Sequence, residues 1–247
     1  MWYFGADPPP KTGSRNARVT IAEDFVATLL LVVHSCLTLD NFKRISTNKR
    51  GVTTDTLMDI AMNNNGYVTS TQATDADIPR RKLAEAVSAG ELIQVARGLY
   101  ALPDVWEDPL YIAQYRFSRG IFSDDTALFL HGMTDRAPFA LTMTFPRSYN
   151  ASSAREAGII CRTCADDLLD LGLCTVKTEY SNIVRAYNIE RTLCDLMRGQ
   201  STPDSQLITP TMKVYVRSKS CDPVKLVAYA RALGVESKIR NYLGVLL

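Results

Sequence analysis

Along residues 52–103 the apolar positions change period partway, which predicts helices followed by a hairpin. Leu57, Ile60 and Ala61 share one face of a first helix, which Thr54 can cap and which runs to Asn64. Asn63, Asn64, Asn65 and Gly66 then form a stop, because Asn and Gly tolerate the left-handed backbone that ends helices. Tyr67 and Val68 read as a short extended link. Thr69-Ser70-Thr71-Gln72 matches a capping box, in which a hydroxyl and an amide side chain satisfy each other's backbone donors; it opens a short second helix ending near Asp75. Pro79 fits the first turn of a third helix, where its missing N–H costs nothing, and Gly90 ends it. Leu83, Ala86 and Val87 form the apolar face of that helix by their spacing of three and four. Beyond Gly90 the pattern becomes extended: Leu92–Val95 and Leu99–Leu102 read as two strands turning at Arg97-Gly98.

Residues 104–109 (DVWEDP) read as a linker, and residues 110–247 as a second, mixed α/β domain with a small central sheet and a helical C-terminal end. Strands are expected at Leu141–Phe145, Ile159–Arg162, Cys174–Thr178 and Ile183–Tyr187. In the first of these, Leu141, Met143 and Phe145 alternate with Thr142 and Thr144, as one buried face requires. Helices are expected near 189–199, 206–219, 223–233 and 235–246; Pro223 suits a first turn, and Val235, Ile239, Leu243 and Leu246 make an apolar stripe. Residues 1–51 read as a poorly organised leader, either a disordered extension or an addition ahead of the native start. Its apolar run Phe25–Leu39 is the one part able to form a docking helix.

Composition changes this picture little. The 247 residues are 46% hydrophobic and 22% charged, a globular balance. No apolar run approaches the roughly 20 residues of a membrane span. Glu23 and Asp24 abut the longest run, where a signal peptide wants cations, so neither export nor anchoring is expected. Six cysteines in a chain of this length fit a reduced, cytoplasmic protein better than a disulfide scaffold. The net charge of +2 favours no partner. Its distribution is uneven: residues 210–247 carry Lys213, Arg217, Lys219, Lys225, Arg231, Lys238 and Arg240 against Asp222 and Glu236. That excess reads either as a solvated helical face or as a second nucleic-acid surface.

The order helix, short helix, helix, hairpin predicts a winged helix-turn-helix. In that arrangement the second helix of the motif enters the major groove with its N-terminal residues at the base edges. Arg80, Arg81 and Lys82 open that helix here. Arginine can bind guanine bidentately, and all three can reach phosphates. Thr69, Ser70 and Thr71, at the start of the preceding helix, suit a backbone phosphate, and Arg97 at the wing tip suits the minor groove or the backbone. Against this stand Asp55, Asp59, Asp75, Asp77, Glu85 and Glu91, which offset the module's cations, and the fact that winged helices also serve as protein-interaction modules.

No catalytic or cofactor motif stands out. Cys161-Arg162-Thr163-Cys164 is a lone C-x-x-C with no second pair to complete a zinc site, so no metal is expected. His131 lacks a nucleophile with an orienting third group and reads as a helix end, with Ser123 as the N-cap, Leu128 and Phe129 packing inward and Gly132 following. Glu190, Arg191 and Asp195 lie on a core helix and read as structural pairs.

GYVTSTQATDADIPRRKLAEAVSAGELIQVARGLYALPD, FSDDTALFLHGMTDRAPFALTMTFPRSYN and VRAYNIERTLCDLMR follow one another in this order. The first, with Gly98-Leu99-Tyr100-Ala101-Leu102-Pro103 as its GxYxLP-like wing strand, resembles the N-terminal module of AbiEi-type antitoxins from bacterial type IV abortive-infection toxin–antitoxin systems. The second is similar to that family's S-x-x-T-A-L-x-L-H-G-L-T-D-x-x-P segment, and the third to its V-Y-D-x-E-R-T-I-C-D segment. The resemblance runs from residue 52 to the C-terminus. It implies an α+β protein in two parts, without enzymatic activity or cofactor. Residues 52–103 would bind double-stranded DNA and repress the operon's own promoter. Residues 110–247 would counteract a nucleotidyltransferase-like toxin, in phage defence, without a required stable complex. Two other readings remain open: a winged-helix nucleic-acid enzyme of nuclease or nucleotidyltransferase-like fold, and a transcription regulator with no toxin partner.

Overall fold

A computed structural model of the chain describes residues 52–198 and 205–246. The leader 1–51, with its run Phe25–Leu39, therefore lies outside the described residues. The chain divides into two units, the second of which is Thr53–Leu247 and carries all that follows. Its fold is mixed α/β of the α+β type, as expected.

The first part of the unit runs α1 (Val52–Met62), β1 (Tyr67–Thr69), α2 (Ser70–Asp75), α3 (Arg80–Ser88), β2 (Ile93–Ala96) and β3 (Leu99–Ala101). The expected order of helices and hairpin is present, with three local corrections. Helix α1 begins at Val52, so Thr54 is its third residue rather than its cap. Pro79 occupies the N-cap of α3, one place ahead of the first turn, with the extended backbone that a cap residue takes. Tyr67 and Val68 are more than a link: β1 pairs antiparallel with β3 and makes a three-stranded sheet in the order β1-β3-β2. Local chemistry explains the rest. The Thr69 hydroxyl accepts from the Gln72 N–H at 3.1 Å while the Gln72 side chain accepts from the Thr69 N–H at 2.8 Å. Gly90 ends α3 with φ +74°, and its N–H and that of Glu91 satisfy the carbonyls of Val87 and Ala86. Leu57, Ala61, Val68, Ala73, Ile78, Leu83, Ala86 and Leu92 close over one apolar core.

The second part contains α4 (Pro109–Arg116), β4 (Ile121–Phe122), α5 (Asp124–Leu130), β5 (Thr142–Pro146), α6 (Ser152–Glu156), β6 (Ile160–Cys164), α7 (Asp166–Leu169), β7 (Leu173–Lys177) and β8 (Ile183–Tyr187). Helices α8 (Ile189–Arg198), α9 (Ser205–Arg217), α10 (Pro223–Ala232) and α11 (Glu236–Leu246) follow. Five strands form a sheet in the order β6-β5-β4-β8-β7. It is mixed: β5 and β6 are parallel, as are β4 and β8, while β4–β5 and β7–β8 are antiparallel. The four expected strands are found within two residues of their expected ends. The central strand β4 was not foreseen, because two residues cannot display a period.

Strand β5 departs from the expected half-buried pattern, since all five of its residues are buried. Met143 and Phe145 join the apolar cluster formed with Leu110, Ala113 and Phe117 on one face of the sheet. Thr142 and Thr144 are buried on the other face, under the start of α5. There the Thr144 hydroxyl donates to Ser123 Oγ at 2.9 Å, and the Thr142 N–H donates to Thr126 Oγ1 at 2.9 Å. Satisfied hydroxyls can be buried at little cost, so threonine does not mark a solvent face here. The C-terminal helices enclose the largest apolar cluster, with Leu193, Met197, Met212, Tyr215, Leu226, Ile239 and Leu243 in it. Val235, Ile239 and Leu243 of the expected stripe are buried, while the Leu246 side chain lies outside the described residues. Pro223 takes the first turn of α10, behind an Asp222 cap that accepts from the Lys225 N–H.

The stretch expected as a linker carries a buried carboxylate, Asp108, and its last residue, Pro109, already begins α4. Asp108 is fully buried and caps α4, accepting from the N–H groups of Leu110 and Tyr111 at 3.1 and 3.0 Å. Its second oxygen accepts from Thr178 Oγ1 at 2.5 Å and from Asn182 Nδ2 at 2.8 Å, both beyond β7. Its N–H donates to the Tyr67 hydroxyl of β1 at 2.8 Å. Asn65, after α1, donates to Ser181 O and Asn182 Oδ1 at 3.2 and 3.1 Å. Polar groups therefore join the first part of the unit to the β7–β8 turn.

Candidate nucleic-acid interface and a charged cavity

Arg80, Arg81 and Lys82 fill the first turn of α3, as their sequence position requires. No side chain caps that helix start. The three cations are not equivalent. Arg81 Nε lies 3.1 Å from Glu85 Oε1 and Lys82 Nζ lies 2.6 Å from Glu85 Oε2, so one carboxylate holds two of them. The hydrogen bond from Lys82 pulls the Glu85 carboxyl below its ordinary range. Arg80 is exposed and has no ion pair among the described residues.

The hairpin tip meets the start of α2. Arg97 is exposed at the tip, beside Gly98, whose φ is +79°. The Gly98 carbonyl accepts from the Ser70 N–H at 2.8 Å, from Ser70 Oγ at 3.3 Å and from Tyr115 Oη at 2.9 Å. A Cβ at Gly98 would stand 3.1 Å from Ser70 Oγ and 3.2 Å from Tyr115 Oη in a backbone region that disfavours side chains. Of the expected phosphate-binding hydroxyls, Thr69 is spent on its own cap and Ser70 on Gly98, whereas Thr71 is exposed. The structure thus seats the hairpin tip that carries Arg97 on Ser70 through the Gly98 carbonyl. Among the described residues no hydrogen bond or ion pair links either of them to Arg80, Arg81 or Lys82.

The basic C-terminal residues are largely partnered. Lys225 lies 3.1 Å from Glu190, and Lys238 donates to the Met197 carbonyl at 2.9 Å. Arg231 and Arg240 both bind Glu236, whose carboxyl their hydrogen bonds hold at about 2. Lys213, Arg217 and Lys219 remain exposed. His131 caps the end of α5, with Nε2 2.8 Å from the Tyr187 carbonyl, which requires the proton on Nε2. Burial lowers its pKa, which favours the neutral imidazole over a cation at the helix end. Leu128 is buried as expected, and Phe129 only half so.

Sequence reasoning missed a cavity of about 440 Å³ on the threonine side of the sheet. Asp124, Thr144, Arg162, Arg191, Asp195 and Arg198 line it, with Cys161, Thr163, Cys164 and Leu196. Parallel pairing of β5 with β6 sets Arg162 beside Thr144. Arg162 Nε lies 2.9 Å from Asp124 Oδ2, and Arg191 Nε lies 2.8 Å from Asp195 Oδ2. Arg191, only 1% exposed, is engaged through all three nitrogens: Nη1 donates to the carbonyls of Leu168 and Leu171, each at 2.7 Å, Nη2 to Cys164 Sγ at 3.4 Å, and the guanidinium lies over the Tyr187 ring. Burial pushes the Asp124 carboxyl up against the pull of Arg162. Burial likewise pushes Asp195 up to about 6 despite Arg191, with Asp124 adding to the rise. The lone signals were Asp124-Asp125 ahead of the His131 helix and the Arg191/Asp195 spacing of four. Nothing local joins them to Arg162.

Among the described residues no group of three or more His, Cys, Asp or Glu side chains is placed to hold a metal ion. No described helix is long and apolar enough to cross a membrane.

Residues 55–103 match the family described as transcriptional regulator, AbiEi antitoxin. The matched segment covers α2, α3 and the hairpin, including all seven of Thr69, Ser70, Thr71, Arg80, Arg81, Lys82 and Arg97. Among solved structures the chain is similar to the crystal structure of the RV2827C protein from Mycobacterium tuberculosis, at 13% identity and a TM-score of 0.47, covering 76% of this chain and 79% of that one. No curated protein matches the chain.

Proposed function

We propose that the chain is a DNA-binding antitoxin and autorepressor of a type IV toxin–antitoxin operon, without enzymatic activity. Residues 52–103 act as a winged helix-turn-helix on the double-stranded DNA of its own promoter. Helix α3 enters the major groove with Arg80 foremost, Arg97 reaches the backbone or minor groove, and Thr71 faces a phosphate. Residues 110–247 form the antitoxin domain, acting in the cytoplasm against a nucleotidyltransferase-like toxin without a required stable complex.

The observation that carries the DNA-binding half is the uncapped start of α3 with Arg80 exposed and unpaired, inside the segment that matches an AbiEi antitoxin regulator family. A free helix N-terminus bearing cations attracts phosphate, and an unpaired guanidinium keeps its donors for a base. The toxin half rests on that family match alone. It is tested with the whole chain, because Asp108 and Asn65 tie residues 52–103 to the rest. Co-expression with the neighbouring toxin restores growth on this account. Continued growth arrest contradicts it.

A further inference from the structure

The cavity on the threonine side of the sheet has the size of a small-molecule site, which typically runs from roughly 300 to 1,000 Å³. Its lining decides the ligand's chemistry. Five charged side chains exclude a purely apolar occupant. A bare cation is disfavoured as well, since each carboxylate already binds a guanidinium and three guanidiniums line the same volume. Three arginines against two carboxylates leave an excess of positive charge. Arg191 is spent on structure, but the other two are not. Arg162 uses only Nε on Asp124 and is 53% exposed, and Arg198 is exposed without an ion pair among the described residues. Two guanidinium forks with open donors match the oxygens of a phosphate.

The carboxylates have a complementary part. One oxygen of each binds arginine through Asp124 Oδ2 and Asp195 Oδ2, which leaves the other oxygen as an acceptor for hydroxyl or amino groups. Asp124 also stands at φ +49° at the first position of α5, a left-handed backbone that a residue with a side chain takes only at a cost. Such strain gathers at functional sites, where the surrounding fold imposes it. The volume exceeds what a lone phosphate fills.

We propose that this cavity binds a small phosphate-bearing ligand of mononucleotide size, with Arg162 and Arg198 on the phosphate and Asp124 and Asp195 facing donors on the remainder. Arg80 and Arg97 do not line the cavity, so this site stands independently of DNA binding.

The test is calorimetric titration of the full chain with the common nucleoside monophosphates, the matching nucleosides and inorganic phosphate. At least one monophosphate binds more tightly than both its nucleoside and inorganic phosphate. Arg198→Ala, a surface change, and Arg162→Lys, which keeps a cation beside Asp124, each weaken that binding by roughly tenfold or more. Arg80→Ala leaves it unchanged. Thermal unfolding of each variant verifies that it is folded. No binding of any monophosphate, equal binding of a nucleoside and its monophosphate, or unchanged binding by folded Arg198→Ala overturns the proposal.

Discussion

The Thr178 hydroxyl donates a 2.5 Å hydrogen bond to the buried carboxylate of Asp108, 70 residues away in sequence. Asp108 also caps α4, accepts from Asn182 and donates its backbone N–H to the Tyr67 hydroxyl. Asp108→Ala would leave buried donors without acceptors at several points at once. The expected loss is about 3 kcal/mol of unfolding free energy, read from urea denaturation. A loss within about 0.5 kcal/mol, as for an ordinary surface change, would contradict this role.

Glu85 restrains the cationic start of α3 by binding both Arg81 and Lys82. Glu85→Gln removes the negative charge and keeps a good helix former. DNA affinity should rise roughly threefold at low salt, with a steeper dependence on salt, because two more cations can displace counterions. Binding and salt slope equal to those of the unmodified chain would mean that this helix start does not face DNA.

Much of residues 52–103 was legible because its signals are local. The Thr69–Gln72 box, the stop at Gly90 and the turn at Arg97-Gly98 each lie within a few residues. What escaped depends on distant partners. Tyr67–Thr69 becomes a strand only by pairing with Leu99–Ala101. Thr142 and Thr144 read as solvent-facing until Ser123 and Thr126 arrive to satisfy them. Phe122 gains its place at the centre of the sheet from β5 on one side and β8 on the other. The candidate DNA contacts were readable as cations, but not the sharing of Glu85 or the engagement of Ser70 with Gly98. The cavity was invisible for the same reason: Asp124, Arg162 and Asp195 come from three separate elements.

Asp195 gives the molecule a specific pH signature. Burial raises its carboxyl to about 6. Between about pH 4 and that value the folded chain keeps this proton while the unfolded chain has released it. The contribution is therefore fully present below the unfolded pKa and is lost as pH rises through about 6. Unfolding free energies of the unmodified chain and of Asp195→Asn, compared across this range, should diverge by on the order of 2 kcal/mol, with the unmodified chain losing more as pH rises. A constant difference between the two, with the carboxyl titrating near 4 by carbon NMR, would contradict the reading.

On the function proposed above, DNA is read by the cations at the start of α3 and at the hairpin tip. Fluorescence anisotropy with the DNA upstream of the coding sequence, at several salt concentrations, tests it most directly. The comparison is between the unmodified chain and one carrying Arg80→Ala, Arg81→Ala, Lys82→Ala and Arg97→Ala together. All four positions are exposed or half-buried, so the two proteins should unfold at similar temperatures. The account predicts sequence-specific, salt-sensitive binding by the unmodified chain and a loss of roughly a hundredfold or more in the variant. Binding of the same DNA by the folded variant with unchanged affinity would contradict it.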